Sequence, residues 1–236
     1  MALDVYVGSL TRYYAGDWEN ISERAARERG APFRIAHPGG SGDDAADSEG
    51  IQPAIIAWRQ TLNQSLGSRL TAPLDWDEDP EAPYFTSRPG WDGFGSLVLW
   101  AAYGEHPALR RPPTLPEEWD NDPALVRSNA EGFRSRYSHL VRNVELWLPG
   151  PFEFTFEGED VDGRRVVVGS TATLRRQLED LNGATWKAAG DIVAGWAREP
   201  LPDDAPLELS ARYAFAVLLD LAHRAVEHGL PMKLDY

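Results

Sequence analysis

The chain has 236 residues, 42% hydrophobic and 25% charged, enough apolar content to build a core without staples and too much for a disordered polymer. Its 37 acidic against 23 basic residues leave a formal charge of −14, which repels nucleic acid and anionic membranes at long range and attracts a cationic partner. Cysteine is absent, so disulfides, thiolate metal sites and cysteine nucleophiles are excluded.

Leu3 to Val7 alternates and predicts a short strand, with Leu3, Val5 and Val7 on one face and Asp4 and Tyr6 on the other. Gly8 and Ser9 end it. Asp17 is placed to cap a helix through "WENISERAARER", with Ile21 and Ala25 inward and Gly30 as its stop. "PFRIA" reads as a second strand, and residues 37–50 as an acidic, glycine-rich loop. A helix follows over "IQPAIIAWRQTLNQSL", with Pro53 in its first turn and Ile55, Trp58, Leu62 and Leu66 buried. After a proline-rich stretch over 71–92, "GFGSLVLWAAY" reads as a buried helix capped by Asp92.

A second proline-rich connection passes residue 120, where a soft boundary would fall if the chain were divided; the expectation is a single domain over 1–236. Residues 124–147 read as helical, with Phe133, Tyr137, Leu140, Val141 and Val144 inward. Phe152, Phe154 and Phe156 alternate with polar residues before Asp162-Gly163 and "RRVVV", which predicts a hairpin over 152–168 with the phenylalanines buried. Ser170 or Thr171 caps the next helix, and a short helix lies near Trp186–Trp196. A long helix runs from about Glu208 to His228, burying Tyr213, Val217 and Leu221 and closing at Gly229. "MKLDY" is a candidate terminal strand. The expected fold is α+β, mostly helical, around one small sheet.

Three places carry chemistry-bearing residues. The first follows the opening strand: Arg12, Tyr13, Tyr14, Asp17 and Trp18, a guanidinium among aromatic walls where ligands often bind. The same residues also suit a tethered core edge, with Arg12 paired to Asp17 or Glu19. The second is the segment holding Asp75, Trp76, Asp77, Glu78, Asp79, Tyr84 and Phe85. It offers carboxylates to a basic partner and rings as anchors, with Asp77, Glu78 and Asp79 expected to face solvent beside at least one exposed ring. Pro80 and Thr86 occupy positions where an EF-hand loop needs glycine and glutamate, so calcium is not expected. The third is one face of the last long helix, where Asp220, His223 and Glu227 at i, i+3 and i+7 could act as a metal or acid–base set. The plainer reading pairs Asp220 with Arg224 and His223 with Glu227.

Nucleotide-binding glycine motifs and the nucleophile elbow are missing, so no cofactor is expected and an enzyme is the less favoured class. Arginine outnumbers lysine heavily, Lys187 and Lys233 being the two lysines, a usage typical of a high-GC bacterial genome. With no basic, apolar leader at the start, the expected location is the cytoplasm. The expected function is an acidic protein-binding module of the immunity or inhibitor type. The alternative is a small-ligand site or enzyme joining residues 9–18 to the face of the last long helix.

Overall fold

The computed structural model describes residues 2–30, 48–199, 201–202 and 204–236, so the strand expected at "PFRIA" and most of the acidic loop over 37–50 lie outside the described residues. The fold is α+β, built on a six-stranded mixed sheet. In chain order the strands are β1 (Asp4–Val7), β2 (Phe85–Ser87), β3 (Val144–Leu148), β4 (Phe156–Glu159), β5 (Arg165–Ser170) and β6 (Met232–Asp235). Their spatial order is β2-β1-β6-β3-β5-β4. All pairs are antiparallel except β3 with β5. The last strand of the chain is therefore central, inserted between β1 and β3.

Helices cover both faces. One face meets α4 (Gly90–Glu105), α5 (Pro123–Ser128), α6 (Ser138–Val141), α7 (Thr171–Ala184), α8 (Gly190–Trp196) and α9 (Leu207–His228). Val5, Val7, Val144, Trp147, Met232 and Leu234 point into this layer. The centre is α4 against α9, where a Cβ on Gly93 would meet the Ala214 Cβ at 3.3 Å; small residues let the two backbones approach closely. The opposite face meets α1 (Leu10–Ala15), α3 (Ser48–Leu66) and the extended chain from Leu74, which pack on Tyr6, Leu146, Leu148, Val166 and Val168. A strand buried on both faces explains why Asp4 and Tyr6 are as buried as their apolar neighbours. Asp4 is neutralised by a two-pronged bond from Arg88, at 2.7 and 2.9 Å.

Several expectations are corrected. The stretch after β1 contains a helix of its own, α1, with Ser9 as N-cap and Gly16 in the left-handed conformation at its end. Asp17 caps nothing; α2 (Ile21–Glu28) starts from Asn20, whose side chain exchanges hydrogen bonds with Glu23 in a capping box. Of its residues Glu23 is buried, while Ile21 and Ala25 are half-buried. Asp92 sits inside the first turn of α4, which begins at Gly90. Residues 124–147 form two short helices and β3 instead of one helix, although Tyr137, Leu140, Val141 and Val144 are buried as expected. The hairpin is present, but its first strand starts at Phe156; Phe152 is buried, and Phe154 and Phe156 are half-buried against the α1/α3 layer. In α9, Val217 and Leu221 are buried, whereas Tyr213 is half-buried and donates from its hydroxyl to the Arg88 carbonyl at 3.0 Å. Among the described residues, no helix is long and apolar enough to cross a membrane.

Candidate functional site

The first two candidate regions meet. From Leu74 the chain is extended, so side chains alternate: Leu74, Trp76 and Glu78 turn inward while Asp75, Asp77 and Asp79 turn out. Glu78 is therefore buried, contrary to the expectation that three neighbouring carboxylates all face solvent. Its carboxylate accepts from the Thr11 N–H at 2.7 Å, the Thr11 hydroxyl at 2.8 Å and the Trp76 indole N–H. These donors replace the water that the charge gives up. The rings are likewise drawn in: Trp76 is buried, and Tyr84 and Phe85 are half-buried, so none is the exposed anchor expected.

Arg12 reaches across the same junction. It donates to the Ala82 carbonyl at 2.9 Å and lies over the Tyr84 ring at 4.9 Å, not against Asp17 or Glu19. Asp17 is exposed, and Trp18 is buried, stacked on Tyr13 with ring centroids 5.6 Å apart. The segment itself is clamped. Asn63 holds the Leu74 backbone through both its amide atoms, Gln52 donates to the Glu78 carbonyl at 3.0 Å, and Arg59 pairs with Asp75 at 3.0 Å. Asp77 and Asp79 each accept a backbone N–H two residues on.

The α9 trio does not join Arg12, because α1 and α9 cover opposite faces of the sheet. Asp220, His223 and Glu227 are exposed. Asp220 pairs with Arg224 at 2.8 Å, as the spacing predicts, but His223 meets Glu179 of α7 at 3.2 Å and not Glu227. Among the described residues, no three His, Asp or Glu side chains are grouped to hold a metal ion.

Tyr13 and Tyr14 lead instead to a crevice that residue-type patterns did not reveal. Cross-strand register aligns Thr86, Tyr6, Lys233, Leu146, Val168 and Phe156 in one row across the sheet. Lys233 thus stands in the middle of a largely apolar row, 3% exposed. Its ammonium meets the Asp160 carboxylate at 3.3 Å and lies 5.4 and 5.9 Å from the Tyr13 and Tyr14 ring centres. Asp160 is equally buried and heavily engaged: Oδ1 accepts the N–H groups of Asp162 and Arg164, and Oδ2 faces Lys233 and, at 3.8 Å, the Arg164 guanidinium. This carboxylate organises the turn of the β4–β5 hairpin, where Gly163 takes a φ of 75°.

These groups line a cavity of about 110 Å³, with the more exposed Asp162, Arg164 and Tyr236 at its rim. Burial pushes the Lys233 amine below its ordinary pKa; Asp160 opposes the shift and Arg164 adds to it. Burial pushes Asp162 up, reinforced by Asp160. Tyr13 donates to Asp235 at 2.9 Å, and burial raises its phenol pKa further than that carboxylate does. The Tyr14 phenol is also raised, by burial and then by Asp160 and Asp162; its buried hydroxyl faces the Asp160 carboxylate and the Val161 N–H but closes no well-formed hydrogen bond among the described residues. Lys233 spends one of three N–H donors on Asp160. A floor with unspent hydrogen-bonding capacity can receive a polar molecule.

Asp160, Asp162, Arg164, Lys233 and Tyr236 escaped sequence reasoning. One signal was present: one of two lysines in a chain that otherwise uses arginine, placed between Met232 and Leu234 on a strand whose other face is core. No family model, curated protein or solved structure matches the chain.

Proposed function

We propose that the protein binds a small polar molecule bearing an oxygen acceptor, in the crevice floored by Lys233 and Tyr14. The observation that carries this reading is that the Lys233 ammonium, with one N–H given to Asp160, and the Tyr14 hydroxyl, which closes no well-formed hydrogen bond among the described residues, line one cavity. A buried polar group without a partner costs about 1–3 kcal/mol, and a ligand oxygen relieves that cost. The cavity holds several water-sized groups, so the ligand has few heavy atoms. Calorimetric titration with a series of small carboxylates, glycolate first, tests the reading. Binding heat in the wild type, reduced in Tyr14→Phe, is expected. At about tenfold excess over Kd the ligand adds about 1.4 kcal/mol of stability. Absence of heat with every member of the series contradicts it.

A second reading rests on the acidic segment. Asp75, Asp77, Asp79 and Glu81 face solvent from chain that Asn63, Gln52, Arg59 and Glu78 hold in place. A fixed anionic face on a protein of charge −14 suits a basic protein partner, as an inhibitor of the immunity type would need. Capture from lysate at low and moderate salt tests this; no basic partner at either salt counts against it. With a partner in hand, the triple variant Asp77→Asn, Asp79→Asn, Glu81→Gln should slow association about tenfold at low salt, less at high salt. Its stability should stay within about 0.5 kcal/mol of wild type.

A further inference from the structure

We propose that Lys233 forms an imine with a small oxo acid, its amine attacking the ligand carbonyl while Arg164 at the crevice rim holds the carboxylate. The inference rests on the crevice being a ligand site and adds the ligand class and its chemistry. Imine-forming lysines are removed from bulk water, held beside a group that can take their proton, and reachable by a carbonyl. Lys233 meets these conditions. It lies against the rings of Tyr13 and Tyr14, its nitrogen is 3.3 Å from Asp160 Oδ2, and it lines the cavity. The charged and titratable groups around it are Tyr13 and Tyr14 from α1, Tyr6 across the strand pair, Asp160, Asp162 and Arg164 from the hairpin, Glu145 from β3, and Tyr236 at the rim. Burial favours the neutral amine and outweighs Asp160, which favours the ammonium; Arg164 acts in the same direction as burial.

The rim explains the acid group. Arg164 is exposed and shares its guanidinium among half-buried Glu145 at 2.8 Å, exposed Tyr236 at 3.4 Å and buried Asp160 at 3.8 Å, so an incoming carboxylate can bond the N–H groups of its solvent-facing side. A carboxylate there and a carbonyl at Lys233 describe a molecule of a few heavy atoms, matching the cavity.

The step balances without an oxidant. Lys233 passes its third proton to Asp160, and the freed lone pair forms the C–N bond to the carbonyl carbon. The carbonyl π electrons move onto the oxygen, which takes the Tyr14 proton, and the new C–NH2+ group returns one proton to Tyr14, giving a neutral carbinolamine. Loss of the oxygen as water breaks the C–O bond and leaves C=N; both hydrogens of the neutral amine depart in that water, and Tyr14 and Asp160 end as they began once the proton on Asp160 returns to solvent.

The chain supplies its own control, because Lys187 is exposed on the surface and is the other lysine. Intact protein is incubated with glyoxylate and cyanoborohydride, whose hydride traps any imine as a stable secondary amine, and the adducts are located by peptide mass spectrometry. Lys233 is expected to be labelled at least about tenfold faster than Lys187. Tyr14→Phe should slow labelling at Lys233 and leave Lys187 unchanged. Glycolate, which has the carboxylate but no carbonyl, should protect Lys233 in competition. Labelling at Lys233 no faster than at Lys187 overturns the imine. If glycolate still gives binding heat in that case, the ligand site stands and its carbonyl chemistry falls; if glycolate gives none, both fall.

Discussion

The two faces of the sheet are built from different materials. The α4/α7/α9 face is mostly Leu, Ala and Val with rings such as Phe94, Trp100, Trp147 and Phe215 set among them, and at its centre Ala211, Ala214, Phe215, Leu218 and Ala222 are almost wholly enclosed. The α1/α3 face has a core of rings, with Tyr6, Tyr13, Tyr14, Trp18 and Trp76 around two buried ionic features, Glu78 among its donors and Lys233 with Asp160. Aliphatic packing stabilises in proportion to area and volume and is indifferent to chemistry. Buried charges contribute little net stability against well-packed apolar groups, but they place reactive atoms. One face holds the molecule together and the other holds its candidate site.

The largest expected effect lies on the aliphatic face. Phe215→Ala should lower stability by about 3–5 kcal/mol, since the ring is fully enclosed and contacts Trp186 and Trp196. Chemical denaturation measures the loss, and glycolate affinity of the folded fraction should not change. A loss below about 1 kcal/mol would show that this face is not the stabilising one.

An effect nearly as large is set by pH. His139 is fully enclosed; burial, then Arg176 and Arg142, push its pKa from 6.5 down to about 4. Its folded value lies below its unfolded one, so the unfolded chain binds a proton that the folded chain refuses in this interval. Stability is full above about pH 6.5 and falls as pH drops towards 4, by on the order of 3 kcal/mol. His139→Gln should flatten denaturation midpoints across that window, whereas an unchanged slope would assign the acid loss to other groups.

Glu78→Ala probes the opposite face and should cost about 1–3 kcal/mol by stranding the Thr11 and Trp76 donors. Hydrogen exchange should accelerate across 74–82 and α1 while α9 stays protected. Equal acceleration in α9 would mean that the faces do not behave separately.

How much of this was legible in the sequence also divides by face. α9 was readable because its apolar stripe repeats over many turns and closes at Gly229, whose left-handed conformation ends it. The hairpin was readable from alternation and Asp162-Gly163. On the other face, α1 spans six residues, too short for periodicity, and its Ser9 and Gly16 caps were the signal overlooked. The burial of Glu78 follows from alternation with Leu74 and Trp76, a pattern masked by the acids between them. The site is still less legible. Tyr13 and Tyr14 were singled out, but Lys233 and Asp160 lie 73 residues apart and meet through strand register, which no local pattern encodes.

Whether the floor of the crevice receives a ligand can be read from nitrogen-15-labelled lysine side chains, because the protein contains two lysines. Titration with glycolate, recorded at low temperature where amine proton exchange is slow, should shift the Lys233 side-chain nitrogen signal progressively to saturation. The Lys187 signal should stay where it is, and Tyr14→Phe should need more glycolate to reach the same end point. A Lys233 signal that does not move, or two lysine signals that drift together without saturating, would contradict the account and leave Lys233 with Asp160 as a buried structural pair.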